Sequence, residues 1–189
     1  DYDSEYRYEG RPIPALQGMD ESDSVIYVGT FSKVLYPALR IGYLVIPETL
    51  VPIFRKAKWL NDRQSPMLEQ YALADFIKAG HLERHIRKMR RLYDRRRGVL
   101  VESLRKEFGD NVEIRGENAG MHVLIRFKSK FSDAEMIRRA AEHDVHLLSS
   151  AEYYLLKPRR GEFIFGYANL PESKIREGIQ RLRKAFAPA

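Results

Sequence analysis

The 189-residue chain has no cysteine, which excludes disulfides, thiolate catalysis and cysteine-ligated zinc. It also lacks any apolar run near the ~18–20 residues that a membrane-crossing helix needs, so no spanning segment and no membrane partner are expected. The first ten residues, Asp1 to Gly10, are acidic, aromatic and polar, unlike the apolar centre of a secretory signal. A cytoplasmic location is the expectation. Histidine is scarce as well: His81 and His85 stand four apart on a helical pattern, without a third ligand or an H-E-x-x-H context, and no metal site is expected. What remains is an ordinary globular balance, 44% apolar and 31% charged, in a length that suits one domain or two small ones.

The formal net charge is +7 and it is concentrated. Between Arg84 and Arg97 there are eight basic residues against one acid, Asp94, which leaves the rest of the chain close to neutral. A basic stretch on one helix is a weak nucleic-acid signal; a solvated helix face is the ordinary reading.

Hydrophobic patterning divides the chain. Asp1 to Leu16, with Gly10, Pro12 and Pro14, reads as an extended entry. Ser24 to Gly29 has the short, β-branched pattern of a buried strand, and Arg40 to Pro47 that of a second one. Glu48 to Leu60 reads as an amphipathic helix and 61–66 as a polar loop, with Ser65 and Pro66 expected to cap and open the next helix. The longest helical pattern spans His81 to Phe108 and ends at Gly109. Beyond it, 112–114, 121–127, 145–148 and 163–168 read as strands. Ser132 to Glu142 reads as a helix with Ser132 and Glu135 in capping-box spacing, and 171–186 as the last helix. The expected fold class is therefore α/β, organised as a partial sheet domain over 1–80, a long bridging helix over 81–109 and a small α+β domain over 110–189.

One turn carries chemistry. In Val28-Gly-Thr-Phe-Ser-Lys-Val-Leu-Tyr-Pro-Ala-Leu-Arg40, a lysine directly follows a buried-strand pattern and has two hydroxyl residues beside it. Burial there would depress the pKa of Lys33 and free its amine as a nucleophile towards an aldehyde. Thr30 and Ser32 offer hydroxyls, and Arg40 offers a planar fork that matches a phosphate. An aldehyde bearing a phosphate describes pyridoxal 5′-phosphate, a cofactor held through a lysine. The same residues also fit an exposed turn lysine and an arginine capping the next strand, and spacing alone leaves both open. A nucleotide phosphate loop is excluded, because Gly29 to Lys33 lacks the second glycine.

Asp1-Tyr-Asp-Ser-Glu-Tyr-Arg-Tyr8, Tyr27-Val-Gly-Thr-Phe-Ser-Lys33 and Pro37-Ala-Leu-Arg-Ile-Gly-Tyr43 resemble the aminotransferase-like domain of MocR-type regulators, members of the GntR superfamily. The likeness continues through Ala119-Gly-Met-His122 and Phe165-Gly-Tyr-Ala-Asn-Leu-Pro171. Such regulators join a winged helix-turn-helix to a fold-type I pyridoxal-phosphate domain. The resemblance implies the C-terminal part of that domain: part of the large-domain sheet plus the small α+β domain. It implies that Lys33 forms the internal aldimine, that Tyr2 contacts the cofactor's phenolic oxygen, and that Thr30, Arg40 and more weakly Ser32 bind its phosphate. A homodimer, an amino-acid or amine effector, and DNA contact through a winged helix absent from this chain are further implications.

Two departures from the family pattern stand out. The aspartate that pairs with the pyridine nitrogen would fall just before Asp1, so the chain reads as a fragment. The strand arginine that holds a substrate carboxylate in related aminotransferases corresponds to Ile164, leaving Arg159 and Arg160 as the nearby replacements. Three readings stay open from sequence: an effector-sensing domain, a true aminotransferase in which Lys33 also moves a proton, and a structural fragment without activity of its own.

Overall fold

The computed structural model describes residues 4–187 and divides into two compact units, Asp1–Met89 and Arg90–Ala189. In the first, β1 (Tyr27–Thr30) pairs antiparallel with β2 (Gly42–Val45), with Tyr27 opposite Val45 and Thr30 opposite Gly42. Helices α1 (Val51–Asp62) and α2 (Met67–Lys78) follow. The burial expected for these strands is not found: Val28 is 56% exposed, and Ile26, Leu44 and Val45 are also exposed. The reason is geometric, since a two-stranded sheet has a single ladder and cannot cover both of its faces. Among the described residues, the large apolar side chains that this unit buries are Tyr6, Val34 and Leu73.

Local chemistry sets the ends of these elements. The Asp20 carboxylate accepts from the backbone amides of Ser22 (3.0 Å), Ser24 (2.7 Å) and Val25 (2.8 Å), folding the approach to β1 into a clip. Those amides, with the Ser22 hydroxyl, hold the Asp20 carboxyl far below the usual carboxylate range. Helix α1 continues two residues past the expected Leu60, because Lys58 pairs with Asp62 at 2.9 Å across one turn. Ser65 does not cap α2. Its hydroxyl turns back to Asp62 (3.3 Å), and Pro66 holds the cap position instead.

Helix α3 (His81–Phe108) is continuous and has the bounds that the apolar spacing predicts, stopped by Gly109 in a left-handed conformation. Its buried residues, Val99, Leu100, Val101 and Leu104, all fall within the second unit. There β3 (Val112–Arg115), β4 (His122–Phe127), β5 (Leu148–Ser149) and β6 (Glu162–Gly166) form an antiparallel sheet in the order β3-β4-β6-β5. Helices α4 (Asp133–Glu142) and α5 (Glu172–Ala185) complete it. Alternation along β4 buries Val123, Ile125 and Phe127. The Phe127 ring meets Phe108 at 5.0 Å and Phe186 at 5.3 Å, both edge-on. Gly161, at φ 75°, accepts from the Phe127 amide (2.8 Å) at this edge; a Cβ there would fall 2.4 Å from the Phe127 carbonyl oxygen.

Three expectations change in this unit. The strand expected over 145–148 shrinks to the pair Leu148–Ser149, bonded only to β6. The capping box is half made. The Ser132 hydroxyl accepts from the Glu135 amide (3.2 Å), but the Glu135 carboxylate turns to Arg138 and Arg139. The basic run is also less free than a solvated face, since Arg96 donates to the Ala168 carbonyl, and Arg97 to the Glu117 carbonyl at 2.7 Å.

Candidate functional site

The chemistry-bearing turn connects β1 to β2. The Phe31 amide donates to the Ile41 carbonyl (3.0 Å), closing the base of the turn. Inside it, the Thr30 hydroxyl donates to the same carbonyl (3.5 Å) and accepts from the Ser32 amide (3.1 Å). One helical turn follows, with the Leu35 amide on the Phe31 carbonyl at 3.0 Å. Lys33 sits in this turn, half-buried rather than buried. Val34 beside it is buried, and its carbonyl accepts from the phenol of the fully buried Tyr6 at 3.5 Å. Tyr6 thus ties the entry segment to the turn.

Lys33 and Thr30 share a small polar recess with Ser4, Glu5, Tyr27 and Tyr43, floored by Gly29. Gly29 is sterically required, because a Cβ at that position would fall 2.3 Å from the Tyr43 ring. The Tyr43 ring also meets Tyr27 at 6.0 Å and Phe31 at 5.4 Å. Burial first, then the Tyr43 hydroxyl, push the Tyr27 phenol above its ordinary pKa.

Ser32 and Arg40 stand on the same turn but do not line the recess. Arg40 is exposed and holds a left-handed backbone, φ 51° and ψ 32°, at the end of a short 3-10 turn over Pro37–Leu39. Non-glycine residues in that region cost about 1–3 kcal/mol and concentrate at functional sites. Tyr2 lies outside the described residues. Tyr36, three residues past Lys33, lines a separate apolar groove with Leu35, Leu68, Leu73 and Phe76.

Arg159 and Arg160 belong to the second unit, on the exposed stretch before β6. The Arg160 guanidinium donates to the Lys130 carbonyl at 3.0 Å. Ile164 is flanked across the sheet by Leu124 and Leu148, and the row ends at Arg115 opposite Leu124 on the outer strand β3. Other singled-out residues have local partners: His81 contacts the Arg84 guanidinium at 2.7 Å and lies 5.3 Å from the Phe76 ring. Trp59 and Tyr153 are exposed, with Arg63 above the Trp59 ring.

Sequence reasoning did not single out Tyr6, Tyr27 or Tyr43 for the site. The strand register carries the missing signal, since it sets Gly29 opposite Tyr43 and so places a ring over a residue without a side chain.

A primary amine, adjacent hydroxyls and a guanidinium on one tight turn are the donor set that an aldehyde with a phosphate requires. Superposition on a solved multiple substrate aminotransferase of Thermococcus profundus, with a TM-score of 0.87 at 28% identity, shows the aminotransferase fold of type I. Residues 4–182 match the aminotransferase class I and II family, and the chain belongs to it. It is 43% identical over 188 residues to the HTH-type transcriptional regulator YhdI of Bacillus subtilis, covering 100% of this chain and 40% of that relative. It is 41% identical over 186 residues to the probable rhizopine catabolism regulatory protein MocR of Rhizobium meliloti, covering 98% and 38%. Among solved structures, LysN, the alpha-aminoadipate aminotransferase of Thermus thermophilus complexed with N-(5′-phosphopyridoxyl)-L-leucine, superposes with a TM-score of 0.85 at 26% identity. That match covers 98% of this chain and 48% of LysN. The chain therefore spans less than half the length of these relatives, and pyridoxal phosphate is the cofactor the family implies.

Proposed function

We propose that the chain is part of a pyridoxal-phosphate-binding, effector-sensing domain of a transcriptional regulator, with Lys33 presenting its amine to the cofactor. The observation that carries this reading is the shared recess of Lys33 and Thr30 at the end of β1. When bound, the cofactor supplies an electrophilic carbonyl and an electron-withdrawing ring. The chain's own residues bind and orient it. Thr30 and Ser32 offer hydroxyls to the phosphate, and Arg40 a bidentate, permanently charged fork. Tyr2 is assigned to the phenolic oxygen. Tyr27 presents its phenol, a hydrogen-bond donor, at the wall of the recess.

Residues 1–80 are assigned to the cofactor-binding large domain, 81–109 to a bridging helix and 110–189 to the small domain. The effector is an amine or amino acid that competes with Lys33 for the cofactor, with Arg159 and Arg160 as weaker contacts. The regulator works as a cytoplasmic homodimer and reaches DNA through a winged helix outside this chain. Ile164, in place of an arginine at that strand position, favours sensing over turnover, because an aliphatic side chain cannot fix a carboxylate.

The test is reductive trapping. Borohydride treatment of the chain with pyridoxal phosphate is expected to fix the cofactor on Lys33, as read by peptide mapping, and to fix none at a defined site in Lys33→Ala. Label spread evenly over many lysines, or unchanged in Lys33→Ala, would overturn the assignment. Added amino acids are expected to displace the cofactor from Lys33 without releasing keto acid. Sustained keto-acid formation would establish an aminotransferase instead.

A further inference from the structure

The second unit contains a pocket of about 150 Å³ that the cofactor reading does not use. It lies between α5, β6 and the segment just before β5. Leu100, Leu147, Phe165, Ile175, Ile179 and Leu182 form its apolar walls. The pocket opens to solvent, and its volume suits a benzene-sized ring. The lining includes two residues of basic type, His146 and Lys174, and no acid.

Gly178 supplies a second observation. It lies inside α5 and lines the pocket. A Cβ added there meets nothing within 4 Å, so packing does not demand glycine. Glycine within a helix is disfavoured relative to alanine or leucine. What its missing side chain leaves is open space on the pocket wall.

From the volume, the largely apolar walls, the basic side chains in the lining and the glycine, we infer that this pocket binds a small carboxylate with a ring-sized apolar body. The ring fills the space beside Gly178, and the carboxylate meets the Lys174 ammonium at the rim, where it competes with Glu177, now 2.8 Å from that ammonium. This site lies wholly within the second unit and stands whether or not Lys33 holds a cofactor.

An NMR titration of the whole chain with benzoate tests it. Saturable shifts are expected at Gly178, Leu147 and Phe165, with a Kd of about 1 mM or tighter. Gly178→Leu, which fills the space with a better helix former, is expected to abolish those shifts while leaving the helical circular dichroism intact. Lys174→Met is expected to weaken benzoate about tenfold by removing a charge-assisted contact. Benzylamine, of the same shape and opposite charge, is expected to bind more weakly than benzoate. The proposal is overturned by shifts that do not saturate, by shifts that persist in Gly178→Leu, or by benzylamine binding as tightly as benzoate.

Discussion

Glu162 is a carboxylate placed inside the second unit, 1% exposed, on a strand that otherwise packs aromatic and aliphatic side chains. One oxygen accepts from the Ser150 hydroxyl (3.1 Å) and from the Tyr154 phenol. The other has no hydrogen-bond partner. Removing the carboxylate takes away the Tyr154 phenol's partner, while the Ser150 hydroxyl keeps the Glu162 backbone carbonyl (3.1 Å), so Glu162→Ala is expected to destabilise the second unit by about 1–3 kcal/mol. Urea unfolding followed by circular dichroism measures this, and an unchanged midpoint would count against it. The Tyr154 phenol is raised above its ordinary pKa, first by its bond to Glu162 and then by burial. Its contribution is present below the unfolded value of about 10 and is lost as pH rises through the folded value. At this scale the sequence is legible where neighbours in the chain make the site: Thr30, Ser32 and Lys33 share one turn. It is silent on Tyr6 and Glu162, whose partners lie 28 residues away at Val34 and 12 away at Ser150.

Among the elements, α4 shows how a helix start is held by charge. Arg138 and then Arg139 hold the Glu135 carboxyl down to about 2. A depressed carboxyl contributes stability that is present above the unfolded value, about 4.3, and lost as pH falls towards about 2. Glu135→Gln is therefore expected to be less stable than the parent at pH 6 and equal to it near pH 2. Denaturant midpoints across that range check this, and the gap should narrow at high salt because these groups are solvent-exposed. Ser132→Ala removes the cap itself and is expected to cost about 0.5–2 kcal/mol at any pH in the same range. Helix α3 was legible because its apolar stripe runs unbroken into a left-handed glycine. The strand near 148 was not: two residues are too few to carry a period, and ladder bonds to β6 alone define it. The capping of α2 failed for a competing reason, the pull of Asp62 on the Ser65 hydroxyl.

Across the molecule, burial is distributed unevenly. Among the described residues, the first unit buries the large apolar side chains of Tyr6, Val34 and Leu73, while the second encloses a continuous core from Leu100 to Ala185. Hydrogen exchange should follow that division. Amides of α3 beyond Val99, β4, β6 and α5 are expected to be the slowest, and those of β1 and β2 much faster. Equal protection in the two units would contradict it. Leu104→Ala, which empties a fully buried position, is expected to cost about 2–5 kcal/mol and to raise exchange in the second unit alone. In the second unit β3, β4, β6, α4 and α5 were readable because each completes its own pattern. The openness of the β1–β2 sheet was not, because β-branched composition signals a strand without saying how many strands will flank it.

The left-handed backbone at Arg40 has a consequence for any campaign to harden this protein against heat. Glycine would adopt that conformation without strain, so a screen rewarding thermal endurance alone should favour Arg40→Gly. Arg40→Ala would lose the guanidinium and keep the strain. The two variants, equal in lost charge and opposite in backbone ease, would separate what position 40 contributes to folding from what it contributes to phosphate capture.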